Sequence, residues 1–167
     1  MLFSRRNLLL SGTAAAGLTA VGVPVSVLPD AAPGFQLLSG GEIELVTAIG
    51  EAFFPEGNVF GVSAADVDLP ALVDALMAEE LDPIVQPVFR YLLRVVDAGT
   101  LASRGAGFAA LSLADRRAVL ENWSDNAIFP RRLAYDALKS VLGMAFFNAA
   151  AVTDHVGWSP TCHGAAS

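Results

Sequence analysis

The sequence predicts an all-α fold: an irregular bundle of about five helices behind an N-terminal signal segment, followed by an extended C-terminal tail. Three observations support this. Apolar residues between Ile43 and Phe147 recur at intervals of three and four, the period of a helix with one buried face. Helix-start signatures stand ahead of these runs at Ser39, Asp68, Asp82 and Ser112, each a capping side chain followed by an acidic residue or a proline. Turns built on Gly and Pro separate the runs, and the two-residue alternation of strands is almost absent.

The chain opens with Ser4-Arg5-Arg6-Asn7-Leu8-Leu9-Leu10 and carries no charge from Leu8 to Leu28. An arginine pair, one spacer, two large apolar residues and a bland hydrophobic run have the form of a twin-arginine export signal, read through Ser4, Arg5, Arg6, Leu8 and Leu9. At about 1.5 Å per residue the run is also long enough for a membrane anchor. Gly12, Gly17, Gly22, Ser11, Ser26, Thr13, Thr19 and Pro24 make it a weak hydrophobe with poor helix propensity, which favours the export reading. Ala31 and Ala32 follow without a clean A-x-A triplet, so cleavage stays open. The expected division is 1–32 as signal and 33–167 as one helical domain.

The first helix starts at Ser39, with Glu42 completing a capping box, and runs through Ile43, Val46, Ile49, Ala52 and Phe53 until Pro55 stops it. Asp68 caps a second, with Pro70 in its first turn and Leu69, Leu72, Val73, Leu76 and Met77 inward. Asp82-Pro83 reads as the start of a third, carrying Ile84, Val88, Phe89, Leu92, Val95 and Val96 and closed by Gly99, with a flexible loop to Gly107. Ser112 with Asp115 opens a fourth, with Leu113, Val119, Leu120 and Trp123 inward. From about Pro130 to Val152 the chain reads as one long helix that is apolar nearly all round. Such a helix is enclosed by its own bundle or covered by another chain. This marks Phe146 and Phe147 as candidate partner contacts. The tail from Thr153 to Gly164 is expected to be irregular, with Trp158 and Cys162 as further candidate contacts.

Several function classes are excluded or weakened. The net charge is −7 with a single lysine, Lys139, and loss of Arg5, Arg6 and Asp30 would leave the remainder more acidic still. That balance disfavours nucleic acid and anionic lipid as partners. The chain lacks C-x-x-C-H, C-x-x-C, H-E-x-x-H and G-x-S-x-G, and its one cysteine forbids an intrachain disulfide. Gly105-Ala106-Gly107-Phe108-Ala109-Ala110 fits G-x-G-x-x-A but follows no strand, so it is not a dinucleotide fingerprint. Asp66, Asp68, Asp74, Glu79, Glu80 and Asp82 read as helix ends and solvated faces. No cofactor is expected in this chain. The alternative reading is a self-sufficient exported enzyme or metal-binding protein using His155, Cys162 and His163, which lack regular ligand spacing. A lipid- or small-molecule-binding bundle would rest on the apolar fifth helix alone.

Together, the twin-arginine start, Ser39-Gly40-Gly41-Glu42 with Phe53-Phe54-Pro55, Phe108-Ala109-Ala110-Leu111-Ser112, and Phe146-Phe147-Asn148 leading to Gly157-Trp158 resemble the gluconate 2-dehydrogenase subunit 3 family over most of the chain. Ala149-Ala150 stands where members tend to carry an Asp-Pro step. The resemblance implies a small subunit without catalytic residues, bound to a large FAD-containing dehydrogenase of the glucose–methanol–choline type. It implies that this subunit supplies the export signal for the pair to the twin-arginine translocase, and that a cytochrome c subunit takes the electrons. The expected location is periplasmic or otherwise extracytoplasmic, with membrane association through the complex or an uncleaved signal.

Overall fold

The computed structural model describes residues 28–125 and 129–157, the second stretch with side chains from Arg131 onward. Among these residues there are six α-helices and no strand: α1 Gly40–Phe53, α2 Leu69–Glu80, α3 Gln86–Arg104, α4 Leu113–Ser124, α5 Phe129–Phe147 and α6 Ala150–Val156. Short 3₁₀ turns occupy Ala64–Asp66 and Phe108–Ala110. The all-helical expectation is met. Helices α1 and α5 form the middle of the bundle, each meeting α2, α3 and α4 as well as the other. None of the six is long and apolar enough to cross a membrane.

The capping residues act as their chemistry requires. Ser39 donates both its N–H and its hydroxyl to Glu42 Oε2, each at 2.8 Å. Asp68 accepts the N–H of Ala71, and Ser112 accepts that of Asp115, so orphan first-turn donors are satisfied. The core gathers Leu45, Val46 and Ile49 of α1, Val73 and Met77 of α2, Phe89, Leu93 and Val96 of α3, Val119, Leu120 and Trp123 of α4, and Leu138, Leu142 and Phe146 of α5.

The third helix departs from expectation at both ends. It starts at Gln86, not Asp82-Pro83, with Pro87 in its first turn. A helix begun at Pro83 would place the Pro87 ring against the carbonyl four residues back. Instead, Asp82–Val85 form a turn in which Asp82 accepts from Ile84 and Val85, and Ile84 is exposed rather than buried. Gly99 does not close the helix; it lies inside it, where a Cβ would sit 3.4 Å from the Trp123 ring. The closing residue is Gly105, in the left-handed region at φ 74°.

Of the stretch expected as a flexible loop, residues 99–104 are the end of α3, and the chain from Gly105 to Phe108 is a corner held by a side-chain bond. Asp97 Oδ1 accepts the N–H of Phe108 at 2.8 Å, and the Phe108 ring is fully buried. The long fifth helix is two helices, interrupted at Asn148 and Ala149. Nor is it apolar all round, since Arg131, Arg132, Asp136, Lys139 and Ser140 face outward along its first half. Thr153–Val156, expected in the irregular tail, form the end of α6.

Two carboxylates expected on solvated surfaces or at a helix start are buried and engaged. Asp74 is 4% exposed and accepts N–H groups from Gln36, Leu37 and Leu38 at 2.7–2.9 Å. Glu42 is 2% exposed and takes the Arg90 guanidinium through Nε and Nη2 at 2.8–3.1 Å. Nη2 of Arg90 reaches further, to the carbonyl of Pro29 at 2.6 Å. One residue on α3 therefore ties the start of α1 to the segment preceding it.

Candidate partner-binding corner

The most distinctive surface is where α1 ends and α5 turns into α6. Phe53-Phe54-Pro55 terminates α1, and the chain then runs through a loop to Ser63. Asn58 organises this loop: its Nδ2 donates to the carbonyls of Pro55 and Val62, and its Oδ1 accepts the N–H of Phe60. The loop is held by side-chain bonds rather than by a buried apolar residue at its tip. Val59, at that tip, is 94% exposed.

Beneath the loop lies an aromatic cluster. The Phe54 and Phe146 rings stack with centroids 4.0 Å apart and planes 5° from parallel. Phe147 meets Phe54, Phe60 and Phe146 edge-on, with centroids 5.0–5.9 Å apart, and Phe53 meets Tyr135 in the same manner. Edge-to-face pairs of this kind add roughly 0.5–1.5 kcal/mol each beyond their buried area. Adjacent residues on a helix point about 100° apart, so Phe146 and Phe147 divide between two environments. Phe146 is fully buried in this chain's own core, which corrects its assignment as a partner contact; Phe147 keeps 40% of its surface exposed.

Met144, one turn before Phe147, is 48% exposed, and Val156 on α6 is 53% exposed. Helix α6 is brought to this corner by a close contact between His155 and Gly61. Gly61 has φ +67°, and a Cβ there would collide with the His155 ring; this position needs glycine for both reasons. The apolar corner is therefore Phe60 and Phe147 in ring contact, Met144 one turn before Phe147, and Val59 and Val156 close in sequence to the contact between Gly61 and His155. Arg131, Arg132 and Lys139 are exposed along the first half of α5, toward the other end of that helix, with Lys139 Nζ 5.6 Å from the Tyr135 ring centroid. Exposed large apolar side chains gathered at one end of a bundle are the mark of an association surface.

The other expected site residues divide simply. Ser4, Arg5, Arg6, Leu8 and Leu9 lie outside the described residues, as do Trp158, Cys162 and His163. Of the alternative His155/Cys162/His163 metal set only His155 is described, resting against Gly61. Among the described residues no group of three or more His, Cys, Asp or Glu could hold a metal ion. A cleft of about 570 Å³ at the start of α1 is lined by Asp30, Glu42, Glu44, Arg94 and Asp97, among others. Two of its carboxylates are already engaged, Glu42 by Arg90 and Asp97 by the Phe108 N–H.

A family model described as gluconate 2-dehydrogenase subunit 3 matches residues 41–164. The chain belongs to the gluconate 2-dehydrogenase subunit 3 family. Membership implies a subunit of a dehydrogenase complex that works with the other subunits of that complex. The matched span takes in all six helices apart from the first residue of α1, together with the whole apolar corner. No curated protein and no solved structure matches the chain.

Sequence reasoning missed Val59, Phe60, Met144 and Val156 as a group. Gly57-Asn58 and Gly61, which bracket Val59, carried a usable signal: a turn that lifts a β-branched apolar residue away from the core. Met144 could have been separated from Leu142 and Ala145 only by knowing which face of α5 meets α1.

Proposed function

We propose that this chain is a non-catalytic small subunit that binds, stabilises and escorts a folded FAD-dependent dehydrogenase of the glucose–methanol–choline type through the twin-arginine route. The observation that carries the proposal is the subunit 3 family match over 41–164, and the open apolar corner at Phe147 is the surface that suits the role. The large flavoprotein covers Val59, Met144, Phe147 and Val156, with Trp158 and Cys162 extending the contact from the tail. Binding only the folded partner stabilises that partner by mass action. Ser4, Arg5, Arg6, Leu8 and Leu9 address the pair to the translocase, where planar guanidiniums are read by acidic groups. The flavin belongs to the large subunit, a cytochrome c subunit accepts its electrons, and the complex works outside the cytoplasm.

The test is isolation of the tagged full chain from its native host, followed by flavin fluorescence and dehydrogenase turnover measured on what co-purifies. The proposal expects a flavin-bearing dehydrogenase in fixed ratio to the chain. A chain that purifies alone, or that itself holds a metal or flavin and turns over substrate, would overturn it.

A further inference from the structure

The residues ahead of α1 are bonded more closely to the bundle than a linker to a disposable signal needs to be. Arg90, 9% exposed, donates to the carbonyl of Pro29 at 2.6 Å. Asp74, 4% exposed, gathers the consecutive N–H groups of Gln36, Leu37 and Leu38. Between these two pins the segment closes on itself, Phe35 N–H donating to the Ala32 carbonyl and Ala32 N–H to the Leu38 carbonyl. Leu38 is fully buried. Residues 29–39 are therefore a strap pinned at both ends, on α3 by a buried guanidinium and on α2 by a buried carboxylate.

We propose that this strap is a permanent part of the mature subunit and that any cut removing the signal falls ahead of Pro29. The position of the cut rests on the export reading above; the strap itself does not. Chemistry disfavours a cut at Ala31 or Ala32. It would remove the Pro29 carbonyl from a buried charged donor, a loss costlier than that of an exposed bond. Pro29, Asp30 and Ala31 are exposed, so their resistance to proteases depends on these backbone bonds and not on burial. The domain boundary accordingly lies before Pro29 rather than at residue 33.

The experiment is limited proteolysis of the purified full-length chain with proteinase K, with fragments mapped by intact mass, beside the first residue of the protein recovered from the exported fraction. The stable fragment and the exported protein should both begin at or before Pro29. Arg90→Lys keeps a cation beside Glu42 but lacks the fork that also reaches Pro29. Its helical circular dichroism should match the unaltered chain while cleavage between residues 29 and 32 quickens at least tenfold. A stable core or exported protein beginning at Asp30 or later would overturn the proposal, as would a folded Arg90→Lys variant cut no faster. If Arg90→Lys does not fold, the fragment map of the unaltered chain decides. Failure of the export reading looks different: the chain stays in the cytoplasm while the protected fragment still begins at or before Pro29.

Discussion

Arg90→Met is the substitution whose effect follows most directly from the bonds around it. The side chains of Arg90 and Glu42 are 11% and 3% exposed, and three of their contacts fall between 2.8 and 3.1 Å. Methionine fills much of the volume but leaves the Glu42 carboxylate buried with Ser39 as its close donor and Arg94 Nε at 3.8 Å. Breaking a buried pair by removing one partner costs about 3–5 kcal/mol. The remaining donors place this case near the lower end, about 3 kcal/mol. For a domain of this size that corresponds to a fall in Tm on the order of 10 °C. Urea unfolding followed by circular dichroism measures it, with the m value checked for constancy. The double variant Glu42→Gln/Arg90→Met should recover part of the loss, because the stranded charge is gone. A loss below about 1 kcal/mol for Arg90→Met, or strict additivity in the double variant, would refute the argument that a buried charge is being compensated.

Other perturbations probe the corner and one turn. Val59→Lys and Met144→Lys alter residues that are 94% and 48% exposed, so unfolding midpoints should barely change. Affinity for the dehydrogenase subunit, measured by interferometry, should fall at least about tenfold for each variant if the corner is the docked surface. Asp66 has its carboxyl pKa lowered from the usual 3.8 by bonds from the Ser63 hydroxyl and N–H. A lowered folded-state value means that the cap's contribution is complete above the ordinary carboxyl range and is lost as pH falls through the depressed value. Asp66→Asn should therefore differ from the unaltered chain in urea midpoint at pH 6, and the difference should shrink on acidification below about pH 4.

What could be read from the sequence was governed by the range of the interaction. The starts of α1, α2 and α4 were legible because Ser39, Asp68 and Ser112 bond to groups three residues away. The start of α3 was misplaced because Asp82-Pro83 has the form of a cap, while Pro87 sets the true position. Gly99 looked like a terminator, but the helix runs on past it to Arg104 and is closed by Gly105 in the left-handed region. Glu42 with Arg90, 48 residues apart, and Asp74 with the strap, 36–38 residues away, rest on contacts that no local pattern encodes. The candidate corner was half legible. Phe147 was marked together with Phe146, and only packing against Phe54 decides which of two adjacent rings turns inward.

The measurement that bears most directly on the escort role is the location of the dehydrogenase when Arg5 and Arg6 are both replaced by lysine. Fractionation of cells carrying that variant, with flavin and dehydrogenase activity assayed in each fraction, should find the large subunit folded, flavin-loaded and held in the cytoplasm, because lysine lacks the planar fork of arginine. Activity reaching the periplasm undiminished would contradict the account.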